Sequence, residues 1–175
     1  MVIRTAVDNG IDYFDHADIY GRGTSEEIFG KAFKELGIAR DSVMLQTKCG
    51  IVPGVMFDFS KEHIIASVEG SLKRLQTDYV DALLLHRPDT LMEPEEVAEA
   101  FDALHKAGKV RHFGVSNQNP MQIELLKKAV TQPLLINQLQ LSLTHAPMID
   151  AGFNVNMVNN PSFMHDGSVL EYSRI

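Results

Sequence analysis

Four ionisable residues are spaced so that they could act together on one substrate. Asp15 closes a short apolar run, Tyr20 follows five residues later, and Lys48 and His86 each stand at the end of a later apolar run. These residue types suit the reduction of a carbonyl, because hydride addition produces an alkoxide that needs a proton. Tyr20 could donate that proton, and an ammonium such as that of Lys48 stabilises the phenolate that remains. Asp15 could hold Lys48 in place, and His86 could hydrogen-bond to the substrate oxygen and orient it.

A second set of polar residues lies further along the chain. Ser116 and Asn117 follow one apolar run, and Gln138 lies at the end of the next. Their hydroxyl and amide groups match a nicotinamide carboxamide, which needs both hydrogen-bond donors and an acceptor. We therefore expect Ser116, Asn117 and Gln138, together with Asp15, to bind a nicotinamide cofactor.

These polar residues end apolar runs that are typical of strands buried on both faces of a parallel sheet. An amphipathic stretch separates each run from the next, so that successive runs form strand–helix–strand crossovers. The predicted strands are Ile11 to Asp15, Val43 to Lys48, Tyr79 to Leu85, Val110 to Ser116 and Leu134 to Leu139. Between them, helix-capping signals or a first-turn proline occur at Thr24 (with Glu27), Ser60, Pro94 and Asn119.

Two architectures fit this alternation, a (β/α)₈ barrel of the TIM type and an open doubly wound sheet. In a barrel, the carboxyl ends of all strands share one face, where active sites are built. A complete barrel typically needs roughly 250 residues, whereas this chain has 175 residues and about five predicted strands. We expect residues 1–175 to form a single partial barrel domain, with residues 144–167 as a long loop over the barrel mouth.

Composition excludes several classes of function. The formal net charge of −7 argues against a nucleic acid or an anionic membrane as the main partner. No apolar run is long enough to suggest a membrane span, and the N-terminus has no signal-peptide pattern. The one cysteine, Cys49, fits a reducing compartment, so we expect a cytoplasmic protein.

The motifs around these residues resemble the aldo-keto reductase family, most closely its bacterial general oxidoreductases. The resemblance runs in order from about Asp8 to Ser142. It is carried by Asp12-Tyr-Phe-Asp-His-Ala-Asp-Ile-Tyr-Gly-Arg-Gly-Thr-Ser-Glu, Gln46-Thr-Lys-Cys-Gly, Asp81-Ala-Leu-Leu-Leu-His-Arg-Pro, Gly108-Lys-Val-Arg-His-Phe-Gly-Val-Ser-Asn and Asn137-Gln138.

The resemblance implies a truncated (β/α)₈ barrel that reduces a small aldehyde or ketone with NADPH, with NADH as the other cofactor to consider. It makes Tyr20 the general acid, Lys48 and Asp15 the residues that tune it, and His86 the residue that orients the substrate. The chain departs from the family at His16, where a small hydroxyl residue is common. The resemblance also predicts that the first strand and the last two strands are missing, and with them the segment that grips the adenosine phosphates.

Two other functions fit parts of the sequence. In a metal-dependent barrel hydrolase, His16, Asp18 and His86 could be ligands, but Tyr20 and Lys48 would then have no role. Alternatively, the chain is a non-catalytic remnant or binding module of an aldo-keto reductase. A five-stranded part of a barrel would have two open edges, so we also expect self-association through these edges.

Overall fold

The computed structural model describes residues 2–149 and 168–175. Its strands, in chain order, are β1 (Tyr13–Asp15), β2 (Met44–Cys49), β3 (Ile51–Val52), β4 (Met56–Phe57), β5 (Val80–Leu85), β6 (Val110–Ser116) and β7 (Leu134–Gln138). Its α-helices are α1 (Val2–Asp8), α2 (Thr24–Glu35), α3 (Lys61–Leu75), α4 (Pro94–Lys106), α5 (Pro120–Leu126) and α6 (Val169–Tyr172). All five predicted strands are therefore present, and β3 and β4 form a short antiparallel hairpin that was not predicted.

The five long-range strands form one parallel sheet in the order β1-β2-β5-β6-β7, which is also their order in the chain. A doubly wound sheet reverses its strand order at one point, and the described strands show no such reversal. The sheet is also curved. This is shown by Gln138 on one outer strand, which donates a hydrogen bond to Asp15 on the other outer strand, 2.9 Å away. This curved parallel sheet is part of a (β/α) barrel, so the predicted fold class is confirmed.

The core lies between this sheet and the helices that cover it. Every residue of β5 is buried, as expected for a strand covered on both faces. On α4, the apolar stripe that contains Val97 and Leu104 faces the sheet, and the ring of Phe101 stacks on Phe113 of β6 with centroids 4.2 Å apart. Removing one such buried ring typically costs about 3–5 kcal/mol. This packing fixes the strands, and so fixes the side chains at their ends.

Helix starts follow the predicted signals with one exception. Ser60 accepts a hydrogen bond from the backbone N–H of His63, and Asn119 forms a reciprocal capping box with Gln122. Thr24, in contrast, does not cap α2. Its hydroxyl donates to the carbonyl of Gly21, and the preceding turn has left-handed backbone angles that make Gly23 the capping position.

The start of the first predicted strand is wrong by two residues. The strand β1 begins at Tyr13 and not at Ile11, because the backbone N–H of Ile11 donates to the carbonyl of Ala6 and closes the end of α1. The predicted loop of residues 144–167 falls mostly on residues 150–167, which lie outside the described residues. Among the described residues, no helix has both the length and the apolar character needed to cross a bilayer.

Candidate active site

The four ionisable residues come together at the carboxyl end of the sheet. Asp15 is the last residue of β1, Lys48 lies near the end of β2, and His86 directly follows β5. Tyr20 begins a short 3-10 turn, Tyr20–Gly23, in the loop that leaves β1. In barrels this is the face that carries chemistry, and the predicted grouping of these residues is what the structure contains.

The loop after β1 brings Tyr20 back towards β2. Backbone N–H groups of His16 and Asp18 donate to the carbonyls of Gln46 and Lys48, so the loop continues along β2 beyond the end of the strand. The turn then needs left-handed backbone angles, and Gly23 has a φ of 93°. A side chain at Gly23 would also meet Arg74, whose Cδ lies 3.0 Å from the position of an added Cβ. This local geometry fixes where Tyr20 points.

Lys48 is the centre of the cluster. Its side chain is only 2% exposed, and its ammonium donates to Asp15 Oδ1 at 2.6 Å and to the backbone carbonyl of His16 at 2.9 Å. Its third partner is the phenol oxygen of Tyr20, at 3.3 Å. A buried ammonium is costly unless it is paired and hydrogen-bonded. Here all three of its N–H bonds have a partner, and one of them is directed at the phenol.

His86 stands beside the phenol as a neutral group. Its ring meets the ring of Tyr20 edge-on, with centroids 5.8 Å apart. Burial, followed by the positive charges of Lys48 and Arg87, lowers the pKa of His86 to about 4. At neutral pH the imidazole therefore carries one N–H, and it can donate a hydrogen bond without adding a second positive charge beside Lys48. Its Nδ1 is buried and has no hydrogen-bond partner among the described residues.

Asp15 is held by more than its lysine. Gln46 and Lys48 donate to Oδ1, each at 2.6 Å, and Gln138 donates to Oδ2 at 2.9 Å. Burial on its own raises the pKa of Asp15, but the hydrogen bonds from Gln138, Lys48 and Gln46 outweigh burial, so the pKa is lowered. Asp15 is thus a carboxylate at neutral pH and balances the charge of Lys48.

The residues predicted to bind the cofactor lie at the ends of the next two strands. Ser116 closes β6, and its hydroxyl donates to the backbone carbonyl of Gln138, which closes β7. The side-chain amide of Asn117 donates to Ser116, and its backbone has a φ of 58°. Left-handed angles at a residue other than glycine cost free energy and cluster at functional sites. The hydroxyl and the amides converge at the same face as Lys48, so this group fits a carboxamide ligand.

A comparison with known proteins identifies the family. The family described as "Aldo/keto reductase family" matches residues 1–156 of the chain. The chain belongs to this family. An oxidoreductase of Bacillus subtilis named YcsN is 46% identical over 164 residues, which cover 88% of this chain and 55% of the relative. A 6-dehydroglucose reductase of Agrobacterium fabrum is 42% identical over 150 residues, which cover 81% of this chain and 50% of the relative.

Solved structures agree with the sequence relatives. An aldo-keto reductase of Bacillus halodurans in its holo form superimposes with a TM-score of 0.73 at 32% identity, covering 86% of this chain and 50% of that protein. The aldo/keto reductase fold is therefore present over most of the chain. The chain spans about half the length of the curated relatives it matches.

The structure of this aldo/keto reductase also contains side-chain contacts that the sequence motifs did not predict. Gln46 belongs to the motif around Lys48, and its side chain donates hydrogen bonds to Asp15 and Gln138 and accepts one from Tyr13. One signal was available in the sequence. Gln46 lies two residues before Lys48, and residues two apart on a strand face the same side.

The metal-hydrolase alternative lacks a ligand set in the described part of the chain. No three His, Cys, Asp or Glu side chains there are grouped so that they could hold a metal ion. The ring of His16 instead packs edge-on against Phe29 of α2, with centroids 4.5 Å apart. Asp18 lies in the loop after β1, where burial raises its pKa to about 6.

Proposed function

We propose that this aldo/keto reductase reduces a small aldehyde or ketone with NADPH and that Tyr20 is its proton donor. The observation that carries the proposal is the contact of one buried ammonium, that of Lys48, with both Asp15 Oδ1 and the phenol oxygen of Tyr20. Membership of the family and the name of one relative, a 6-dehydroglucose reductase, support a reductive activity.

In this reaction each residue has one task. Tyr20 donates its phenolic proton to the carbonyl oxygen as that oxygen becomes an alkoxide. The ammonium of Lys48 stabilises the phenolate that is formed, and Asp15 keeps the ammonium in place. The neutral imidazole of His86 donates a hydrogen bond to the same carbonyl oxygen and orients it.

Ser116, Asn117 and Gln138, together with Asp15, would hold the nicotinamide. A reduced nicotinamide supplies the hydride that the carbonyl carbon receives. The left-handed backbone of Asn117 and the bond from Ser116 to the end of β7 keep these polar groups at the same face as Tyr20. The sequence has one cysteine, Cys49, which is buried, and this low cysteine content fits a reducing, cytoplasmic location.

The test is the carbonyl-dependent oxidation of NADPH by the purified chain, with the Tyr20→Phe and Asn117→Ala variants beside it. We expect Tyr20→Phe to lose at least about 100-fold in turnover and to keep its affinity for NADPH, measured by fluorescence titration. Asn117→Ala should weaken NADPH binding. Unchanged turnover in Tyr20→Phe would refute its role as the proton donor, and an unchanged dissociation constant in Asn117→Ala would refute the cofactor contact. Running the assay with NADH decides which cofactor is preferred.

A second candidate is a binding module without turnover, which the exposed residues on the outer strands of the sheet favour. On the outer strands, Tyr13 is 40% exposed and Leu135 is 61% exposed. Backbone groups at such edges can pair with another copy of the chain. Under this proposal, size-exclusion chromatography gives a self-associated species that binds NADPH but does not oxidise it. A stable monomer that turns over would exclude this candidate.

A further inference from the structure

Gln46 lies beside Asp15 and Lys48, but the proposed reaction gives it no role. It lies on β2 two residues before Lys48, and its backbone is in register with Asp15 on β1. The residue is only 2% exposed. A buried amide that made no hydrogen bonds would destabilise the fold, so the contacts of this side chain need an account.

The amide of Gln46 has partners on both sides. Its Nε2 donates to Asp15 Oδ1 at 2.6 Å and to Gln138 Oε1 at 3.2 Å. Its Oε1 accepts from the phenol of Tyr13 at 2.7 Å. Because the carboxylate of Asp15 can only accept hydrogen bonds, the NH₂ group must face it, and the amide oxygen must then face Tyr13. Tyr13 is therefore the donor, and its hydroxyl fixes the orientation of the amide.

We propose that Gln46, oriented by Tyr13, is a positioning residue that holds Asp15 against Lys48 and so keeps the ammonium at the phenol of Tyr20. This inference rests on the proposed function, because it concerns the alignment of the proton donor. Gln46 and Lys48 bind the same oxygen of Asp15, so Gln46 fixes the atom that the ammonium must meet.

The position of Asp15 makes such a support necessary. Asp15 ends its strand and its side chain is 34% exposed, so rotation towards water is open to it. Gln138 holds the other carboxylate oxygen, but its amide is also expected to bind the nicotinamide. Gln46 is the amide on Asp15 that has no such second task. It can therefore keep the carboxylate in place whether or not the cofactor is bound.

The test compares three variants of the full chain. Gln46→Leu removes the amide at similar volume, and Tyr13→Phe removes only the hydroxyl that orients it. Thr47→Val is the matched control, because Thr47 is buried on the same strand and donates to Glu26 on the opposite side, at 2.6 Å. A ¹³C NMR titration of the Asp15 carboxyl reports the alignment directly and does not depend on turnover.

We expect the pKa of Asp15 to rise in Gln46→Leu, to rise less in Tyr13→Phe and to stay unchanged in Thr47→Val. In the carbonyl assay, kcat of Gln46→Leu should fall roughly tenfold while KM stays within about twofold. An unchanged pKa of Asp15 in both Gln46→Leu and Tyr13→Phe would overturn the proposal, even if both variants were less stable. Should Gln46→Leu fail to fold, Tyr13→Phe decides by the same titration.

The titration also separates this inference from the proposed function. If the wild-type chain does not oxidise NADPH with any carbonyl, the proposed function fails, while the pKa of Asp15 in the variants still decides whether Gln46 positions it. If the wild type turns over and kcat of Gln46→Leu equals that of the wild type, the positioning role is refuted and the proposed function stands.

Discussion

The two ends of the sheet each contain a buried ion pair, but the pairs differ in what they leave unsatisfied. At the amino end, Asp81 of β5 accepts from Arg40 at 2.7 Å, from Arg111 at 3.0 Å and from the backbone N–H of Leu45 at 2.9 Å. Both guanidinium groups also lie over the ring of Tyr79, at 4.0 and 3.9 Å from its centroid. Arg40 further donates to three other oxygen atoms of the protein.

At the carboxyl end, the equivalent pair is left open on one side. Lys48 is fully enclosed, but the Tyr20 that it contacts is 39% exposed, and the buried Nδ1 of His86 has no partner in the part of the chain that the structure describes. An ion pair alone therefore does not distinguish the structural cluster from the cluster that we propose to be catalytic. The distinction lies in two polar groups beside the pair that have hydrogen-bonding capacity to spare, the exposed Tyr20 and the buried imidazole of His86. In barrels of this type, residues at the amino-terminal face serve stability and residues at the carboxyl-terminal face serve catalysis.

The largest effect should come from the closed cluster at the amino end. Asp81→Ala leaves two guanidinium groups without their carboxylate, one of them part-buried, and we expect it to lower the free energy of unfolding by about 3–5 kcal/mol. Urea unfolding followed by circular dichroism measures this loss. The exposed Asp78 offers a matched control, and Asp78→Ala should change stability by less than about 0.5 kcal/mol. Equal losses in the two variants would contradict a structural role for Asp81.

Disrupting the cluster around Lys48 at the carboxyl end should lower activity and leave stability nearly unchanged. Lys48→Met removes the buried ammonium, and we expect turnover to fall at least about 100-fold, which is about 2.7 kcal/mol in the barrier. Stability should change by less than about 1 kcal/mol, because the part-exposed Asp15 keeps its amide donors and the cost of burying the ammonium disappears. Kinetics and urea unfolding of the same sample check both parts. A variant that loses stability but keeps turnover would reverse the comparison.

The carboxyl end should also shape how stability depends on pH. Folding lowers the pKa of His86 from its usual value of about 6.5 to about 4, so its contribution is present above pH 6.5 and is lost as pH falls towards 4. Folding raises the pKa of Asp18 from about 3.8 to about 6, so its contribution is present below pH 3.8 and is lost as pH rises through 6. Between pH 4 and 6.5 the two slopes therefore oppose each other.

Variants of these two residues should separate the slopes. His86→Gln should make stability rise less, or fall more, as pH increases through this interval, and Asp18→Asn should do the reverse. Each change is of the order of 2 kcal/mol across the interval. Urea unfolding at a series of pH values measures both, and slopes that moved in the same direction would show that one of the two pKa shifts has the wrong sign.

Two kinds of feature at the carboxyl end differ in how well the sequence predicts them. Asp15, Lys48 and His86 could be placed from the sequence because the carboxyl ends of parallel strands meet at one face, whatever the details of packing. The link from Tyr13 through Gln46 to Asp15 could not, because it depends on strand register and on which rotamers a curved sheet allows.

The missed or wrong elements each have a physical cause. The two-residue strands of the β3–β4 hairpin are too short for any periodicity to appear in the sequence. Thr24 had the spacing of a capping box, but the left-handed turn before it, with Gly21 and Arg22 both at a φ of 57°, places the start of α2 one residue earlier. At Thr24, the backbone conformation of the preceding residues overrode the local signal.

The smallest effect should separate the two arginines on Tyr79. Arg111 is 53% exposed in its side chain, whereas Arg40 is 19% exposed and also donates to backbone carbonyls of Val43 and Tyr79. Exposed ion pairs contribute little because water screens them. We expect Arg111→Ala to cost less than about 1 kcal/mol and Arg40→Ala to cost about 2 kcal/mol or more, since buried carbonyls then lose their donor. A greater loss in Arg111→Ala than in Arg40→Ala, measured by urea unfolding, would contradict this ranking by exposure and hydrogen bonding.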